Sequence, residues 1–192
     1  MMRLRYVWQK SLAMLQLMWG HKRQALATFD RMLQSWPDDS YALSSRAHLR
    51  AQEGDLAGAL ADYRLLTDRA NASAAHWFNQ GFLLESNGQL ELAEKSFQQA
   101  LALDAQLDRA WFGLGLVLVK QGRLDEAITA LERNTQLQPM SPHAWYELAR
   151  IHERRSEPEE VARIIRHLQG FEPSVAARLR RETGMGPSAP AT

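Results

Sequence analysis

The chain has 192 residues, of which 45% are hydrophobic and 23% are charged, so it is long enough to bury a core and has the composition of a globular protein. Its formal net charge of +1 is too small to draw the whole molecule to nucleic acid, and we expect no nucleic-acid partner. Cysteine is absent, which excludes a disulfide framework and a thiolate metal site.

The N-terminal segment is rich in apolar residues, but its longest unbroken apolar run is only Leu12 to Leu15. A membrane-spanning helix needs about 20 predominantly apolar residues, and a signal peptide needs about 7–15 followed by a cleavage site of small residues. Lys10 and Gln16 interrupt the stretch, and no such cleavage site follows it. We therefore expect a mature protein in the cytoplasm.

The rest of the chain repeats itself, with the same residue types recurring every 34 positions. Tryptophan recurs at Trp77, Trp111 and Trp145, and glycine at Gly20, Gly54, Gly88 and Gly122. Alanine and aromatic registers follow the same interval at Ala25, Ala59, Ala93 and Ala127 and at Phe29, Tyr63 and Phe97. Proline falls on the same register at Pro37, Pro139 and Pro173, with Asn71 and Ala105 at the two positions between the first two prolines. Small residues form a sixth register at Ala13, Ala47, Gly81, Gly115 and Ala149. Six registers with one period indicate stacked supersecondary units.

The clearest copy of the pattern is W-F-G-L-G at 111–115, followed by Ala127 and Pro139. This pattern resembles the tetratricopeptide repeat over roughly residues 6–175. The resemblance implies an all-α fold, a right-handed superhelical solenoid of antiparallel helix pairs. It implies one solenoid domain over residues 1–183, with repeats near 6–39, 40–73, 74–107, 108–141 and 142–175, a cap helix at about 174–182 and a disordered tail at 184–192.

Simple packing rules account for the registers. Two helices that cross closely need a small residue, which suits Gly81. The tight turn between them favours glycine, as at Gly54, because glycine adopts positive φ without steric cost. Acids open most of the second helices, where negative charge suits the helix dipole. These acids are Asp55, Glu91, Asp125, Glu126, Glu159 and Glu160.

The first repeat departs from the pattern in register, charge and apolar content. Its tryptophan, Trp8, lies one residue before the position that the period gives, and residues 1–36 carry six Lys or Arg against one acid, Asp30. The first helix is apolar around most of its circumference, which normally means burial. The first expectation is therefore that this helix packs against repeat two.

The alternative for the first repeat is a second interface. Its residues would be Trp8, Leu15, Met18, Lys22 and Arg23. Such an interface could form the seam of a homo-oligomer, dock an acidic partner, or contact an anionic membrane surface, where apolar and basic residues cooperate.

The resemblance also implies a binding surface, because the first helices of such repeats line a concave groove. The residues predicted to contact a partner there are Phe78, Asn79, Phe82, Arg109, Phe112, Leu116, Lys120, Tyr146 and Arg150. An apolar stripe with charge at its edges suits an amphipathic helix or an extended peptide of another protein. The competing interpretation is that these aromatic residues reflect common repeat usage and are half-covered by their neighbours.

One known use of the family is a carboxylate clamp of lysines, asparagines and arginine that holds an acidic C-terminus. Asn79 and Arg109 match this pattern. Ser44, His48 and Gly113 stand where it needs lysine, asparagine and a second basic residue. Two matches of five argue against a clamp.

No motif in the sequence calls for catalysis. The six histidines form no H-E-x-x-H, and neither a nucleophile elbow nor a phosphate loop is present, so we expect no enzyme activity, no cofactor and no metal. The leading hypothesis is a protein-protein interaction scaffold or assembly factor. The alternatives are a chaperone for a secreted or membrane-inserting client, and an oligomeric or structural subunit that uses the N-terminal helix.

Overall fold

The computed structural model describes residues 2–185, which form eleven α-helices and no strand. The helices are α1 (Met2–Met18), α2 (Lys22–Ser35), α3 (Ser40–Gln52), α4 (Leu56–Thr67), α5 (Ala74–Ser86), α6 (Leu90–Leu103), α7 (Asp108–Lys120), α8 (Leu124–Leu137), α9 (Pro142–Arg154), α10 (Pro158–Gln169) and α11 (Pro173–Glu182). Consecutive helices pack as pairs, which confirms the predicted all-α fold. Residues 186–192 of the predicted tail lie outside the described residues.

The chain divides into two compact units, Met1–Leu103 and Asp104–Thr192. In the first unit α2 packs on α3 and α4 on α5, and in the second unit α8 packs on α9. Each unit therefore has a core of its own. The single domain expected over residues 1–183 stays a prediction.

The repeat registers supply these cores. Phe29, Tyr63 and Phe97 occupy one register in the first unit and are all buried. Leu131 and Ile165 occupy the same register in the second unit and are also buried. A 34-residue period thus places one large apolar side chain at the centre of every helix pair.

Glycine allows the two helices to pack closely within the pair α5 and α6 and within the pair α7 and α8. A Cβ atom built on Gly81 would lie 2.9 Å from the Phe97 ring, and one built on Gly115 would lie 2.7 Å from Leu131 Cγ. Real Cβ atoms do not approach other carbons this closely, so any larger residue would push the helices apart. The prediction that small residues mark the helix crossings is confirmed at both positions.

The turns inside the repeats confirm the glycine register. Gly54 and Gly122 have φ values of 88° and 79°, in the left-handed region that glycine enters without steric cost. In the fifth repeat Ser156 takes this position with φ of 58°. Its Cβ atom makes that conformation costly, so this turn stores backbone strain.

The first helix contradicts the expectation of burial. Only Gln9 and Ala13 of α1 are buried. Most of its large apolar side chains are exposed: Met2, Leu4, Val7, Trp8, Met14, Leu15, Leu17 and Met18. Within the described residues α1 packs on α2 and reaches α3 through Lys10 and Tyr41, and no helix covers its other side. The expectation of a buried first helix is therefore wrong.

The register explains why Trp8 is exposed. The tryptophan position of the repeat falls on residue 9 in the first repeat, and Gln9 is the buried residue there, 5% exposed. Neighbouring residues in a helix point in directions about 100° apart. Trp8 is therefore turned away from α2 and is 61% exposed.

None of the helices in residues 2–185 is both long enough and apolar enough to cross a membrane.

At the C-terminal end α11 covers part of α9 and α10. Tyr146 Oη donates a hydrogen bond to Glu182 Oε2 at 2.7 Å, and the Arg178 guanidinium lies 4.2 Å above the Tyr146 ring. Burial raises the pKa of Glu147 above its ordinary value, although the nearby charges of Arg150 and Arg178 act in the opposite direction. The predicted cap helix is thus present and begins at Pro173.

We predict that Ser156→Gly stabilises the protein, because it removes the strain of a Cβ atom at positive φ. The free energy of unfolding in urea should rise by about 0.5–1 kcal/mol. Gly122→Ser, the reverse change in the preceding repeat, should lower it by a similar amount. A Ser156→Gly protein no more stable than the parent would contradict this reading of the turn.

The raised pKa of Glu147 gives a pH-dependent prediction. The fold disfavours the ionised carboxylate, so the stability that this group contributes is fully present below the ordinary glutamate value of about 4.3 and is lost as the pH rises through the higher folded value. Glu147→Gln cannot ionise and should be more stable than the parent at neutral pH, with the difference disappearing at about pH 4. Denaturant melts at the two pH values measure this. A variant that is less stable at neutral pH would show that attraction to the two arginines outweighs burial.

Candidate functional site

A cleft of about 340 Å³ opens in the first unit between α3 and α5. Spacings of three and four residues put its lining on one side of each of these helices. Helix α3 contributes His48, Ala51 and Gln52, and α5 contributes Asn79, Phe82, Leu83 and Ser86. Leu56 and Tyr63 of α4 complete the lining. None of these nine residues is an acid, a lysine or an arginine, so the cleft is apolar with a polar border.

Phe82 is the most exposed large apolar residue of this cleft, at 56%, while Leu83 and Tyr63 are 6% and 3% exposed. The buried pair belongs to the core of the first unit. Phe82 stands on a helix that is held close to α6 by the crossing at Gly81. An aromatic ring is therefore presented to solvent from a rigid support.

Polar side chains with hydrogen-bond partners also line the cleft beside the Phe82 ring. Burial raises the pKa of Tyr63 above its ordinary value, although hydrogen bonds with Ser44 and Asn79 act in the opposite direction. The Tyr63 phenol therefore stays neutral and ties Asn79 in place. On the facing helix Gln52 Nε2 and His48 Nε2 lie 2.9 Å apart. The cleft thus offers hydrogen-bonding groups and no carboxylate, lysine or arginine.

Three of the predicted site residues lie on α5, and the structure does not bring all of them to the cleft. Asn79 and Phe82 line the cleft, whereas Phe78 does not. The half-buried Phe78 ring lies 5.9 Å from the Phe97 ring, centroid to centroid, and contributes to the packing of α5 on α6.

The remaining predicted site residues lie in the second unit. Phe112 and Leu116 of α7 are half-buried, and the Phe112 ring lies 6.3 Å from the His143 ring of α9. Arg109 and Lys120 of the same helix are exposed. The partner contacts assigned to these α7 residues stay predictions.

Tyr146 and Arg150 are engaged by the cap helix. Besides the hydrogen bond from Tyr146, Glu182 lies 3.6 Å from Arg150 Nη1, and Glu153 lies 3.3 Å from Arg150 Nε. A partner would have to compete with α11 for both residues. In the sequence, the contact between α11 and α9 is indicated by Arg178 and Glu182, which lie four residues apart and therefore on one side of α11.

A second cleft, of about 440 Å³, lies in the first unit among α4, α5 and α6 and was not predicted. Trp77, Arg64 and Lys95 are part of its lining. Gln80 at its base donates to Thr67 Oγ1 and accepts from Ser96 Oγ, each at 3.2 Å. This buried polar group is satisfied by its neighbours, so it serves packing.

Metal ligands are not gathered anywhere in residues 2–185, where no group of three His, Asp or Glu side chains is placed to hold an ion.

Comparison with known proteins identifies the repeats. The Tetratricopeptide repeat family matches residues 12–75, 78–133 and 112–162. A search of curated proteins gave no match. Proteins of this family serve as scaffolds that bind peptides of other proteins.

Solved structures show the same fold at low sequence identity. The crystal structure of MamA protein superposes with a TM-score of 0.79 and 17% identity, covering 97% of this chain and 98% of that one. MamA 41-end from Desulfovibrio magneticus RS-1 gives 0.81 and 20%, covering 88% and 96%. YrrB, described as a TPR protein with an unusual peptide-binding site, gives 0.76 and 19%, covering 89% of each chain. Identities this low show the fold alone. The family match, however, extends over more than half of the sequence, and the chain belongs to the tetratricopeptide repeat family.

Proposed function

We propose that this chain is a scaffold that binds a segment of another protein in the cleft between α3 and α5, with an apolar side chain of the partner packed against Phe82. The observation that carries the proposal is the 56% exposure of Phe82 at the edge of an apolar cleft. Exposed apolar patches on soluble proteins mark interaction sites, and aromatic anchors in pockets supply most of the binding energy at such sites.

The chemistry of the lining selects the class of partner. A charged side chain entering the cleft would lose water without gaining a partner of opposite charge, which is costly. Gln52, Asn79 and Ser86 can instead hydrogen-bond to the backbone of a peptide. The favoured partner is therefore an uncharged segment that presents an aliphatic or aromatic side chain. This preference agrees with the absence of a carboxylate clamp at Ser44 and His48.

The cleft is also formed in advance. Its base consists of buried core residues, Leu83 and Tyr63, and its walls are helices already packed in the first unit. Binding at such a site does not require a loop to become ordered, so it loses less conformational entropy. A volume of about 340 Å³ holds one or two large side chains of a partner.

The similar fold of YrrB, whose peptide-binding site is called unusual, supports peptide recognition by helices arranged in this way. In the second unit, Phe112, Leu116, Arg109 and Lys120 of α7 stay predicted contacts of a partner. A binding scaffold of this kind needs no catalytic group of its own.

We predict that Phe82→Ala weakens peptide binding by about 2 kcal/mol, roughly thirtyfold in dissociation constant, because it removes the aromatic anchor. The probes are peptides selected by phage display against the full chain, with affinities measured by fluorescence anisotropy. The melting temperature should change little, since the Phe82 ring is more than half exposed.

Leu65→Ala is the matched control, because Leu65 is 54% exposed on α4 and does not line the cleft. Its affinity for the selected peptides should equal that of the parent. The proposal is wrong if the peptides bind the Phe82→Ala protein as tightly as the parent, or if they shift the backbone resonances of helices other than α3 to α5.

A further inference from the structure

The solvent-facing side of α1 carries an apolar stripe, formed by Leu4, Val7, Trp8, Met14, Leu15 and Met18. Each of these residues is at least 44% exposed. At about 100° per residue they fall within about one third of the helix circumference, with Ser11 lying between the two halves of the stripe. Trp19, 68% exposed, follows directly after the stripe.

A normal surface helix hides its apolar side and exposes its polar side. The side of α1 that faces the protein instead combines polar residues with Ala13 and Tyr6, which belong to or pack against the hydrophobic core. Gln9 is buried there, and Gln16 Oε1 accepts a hydrogen bond from Thr28 Oγ1 at 2.9 Å. The large apolar side chains of α1 are left to the solvent, so the stripe marks a binding surface.

The charge around the stripe is of one sign. Residues 1–29 contain no acid and five basic side chains, Arg3, Arg5, Lys10, Lys22 and Arg23. Lys10 lies 4.1 Å above the Tyr41 ring, and Lys22 lies 3.4 Å from Glu53. The three arginines form no ion pair among the described residues.

The exposed arginines border the stripe. At about 100° per residue, Arg3 and Arg5 fall on opposite sides of it, and Arg23 follows just after the helix. The surface that fits α1 is therefore apolar inside and negatively charged at its boundary.

We propose that the apolar stripe of α1 docks on the surface of an anionic lipid bilayer, with the helix axis parallel to the membrane plane. The apolar side chains enter the boundary between headgroups and acyl chains. Trp8 and Trp19 suit this boundary because an indole ring is apolar with one polar group. Arg3 and Arg5 are long enough to keep their guanidinium groups among the lipid phosphates.

A second copy of the chain fits the stripe less well. Pairing α1 with itself in either direction would bring basic residues against basic residues, with no acid in residues 1–29 to compensate. A partner helix normally lies in a groove between two helices, whereas the stripe runs along a single helix. A bilayer needs no groove and supplies the negative charge.

This inference goes beyond the proposed peptide site, because the stripe shares no residue with the cleft at Phe82. Together the two surfaces would hold a protein segment at a membrane. Each can fail without the other, since Phe82→Ala should leave membrane binding intact.

The test is flotation of the full chain with vesicles of phosphatidylcholine containing about one third phosphatidylglycerol, beside vesicles of phosphatidylcholine alone. The protein should float with the anionic vesicles, and binding should weaken as the salt rises from about 0.1 M to about 0.5 M. The double variant Leu15→Glu, Met18→Glu should bind at least about tenfold more weakly, because it puts two charges into the apolar layer.

Leu65→Glu is the matched control, with a charge at a leucine that is equally exposed on α4. It should bind vesicles like the parent, and circular dichroism should show that all variants are folded. Arg3→Glu, Arg5→Glu should also weaken binding. The proposal is overturned if the parent does not float with anionic vesicles, binds neutral vesicles equally well, or is unaffected by the double variant. It is also overturned if light scattering shows a dimer that the double variant dissolves and the parent ignores lipid, which would assign the stripe to a second copy.

Discussion

The structure depends on one packing constraint, which is that a helix pair buries only the sides that its neighbours cover. The 34-residue period repeats the same packing positions in each pair, and Gly81 and Gly115 let the helices of a pair approach until a single added carbon would clash. Large residues such as Phe97 and Leu131 then fill the crossing. Whatever remains uncovered after this packing is available for binding.

The two ends of the chain meet this constraint differently. At the C-terminal end α11 packs on α10 and holds Tyr146 of α9 through Glu182 and Arg178. At the N-terminal end of the described residues α1 packs on α2 through the side that carries Gln9 and Ala13 and leaves the apolar stripe in solvent. A conventional cap is polar on its outer side, whereas the outer side of α1 is apolar.

The sequence predicted the helix pairs, the glycine crossings and the positive-φ turns well, because each depends on local sterics that repeat with the period. It placed Phe78 and Phe82 on one side of the helix because they lie four residues apart, but of these two only Phe82 lines the cleft. It could not show that Phe78 packs against Phe97 or that α11 engages Tyr146, because these contacts depend on the tilt and position of neighbouring helices. Apolar content does not predict burial at α1, where Gln9 occupies the tryptophan position of the repeat and faces the protein.

The most direct test of this account is the oxidation of individual methionines in the folded, lipid-free chain at low concentration, followed by mass spectrometry. Met14 and Met18 of the stripe are 51% and 76% exposed, while Met32 in the core is 0% exposed. Peroxide reaches exposed thioethers first, so sulfoxide should form at Met14 and Met18 well before it forms at Met32. Equal protection of all three residues would show that the apolar side of α1 is buried and would contradict the account.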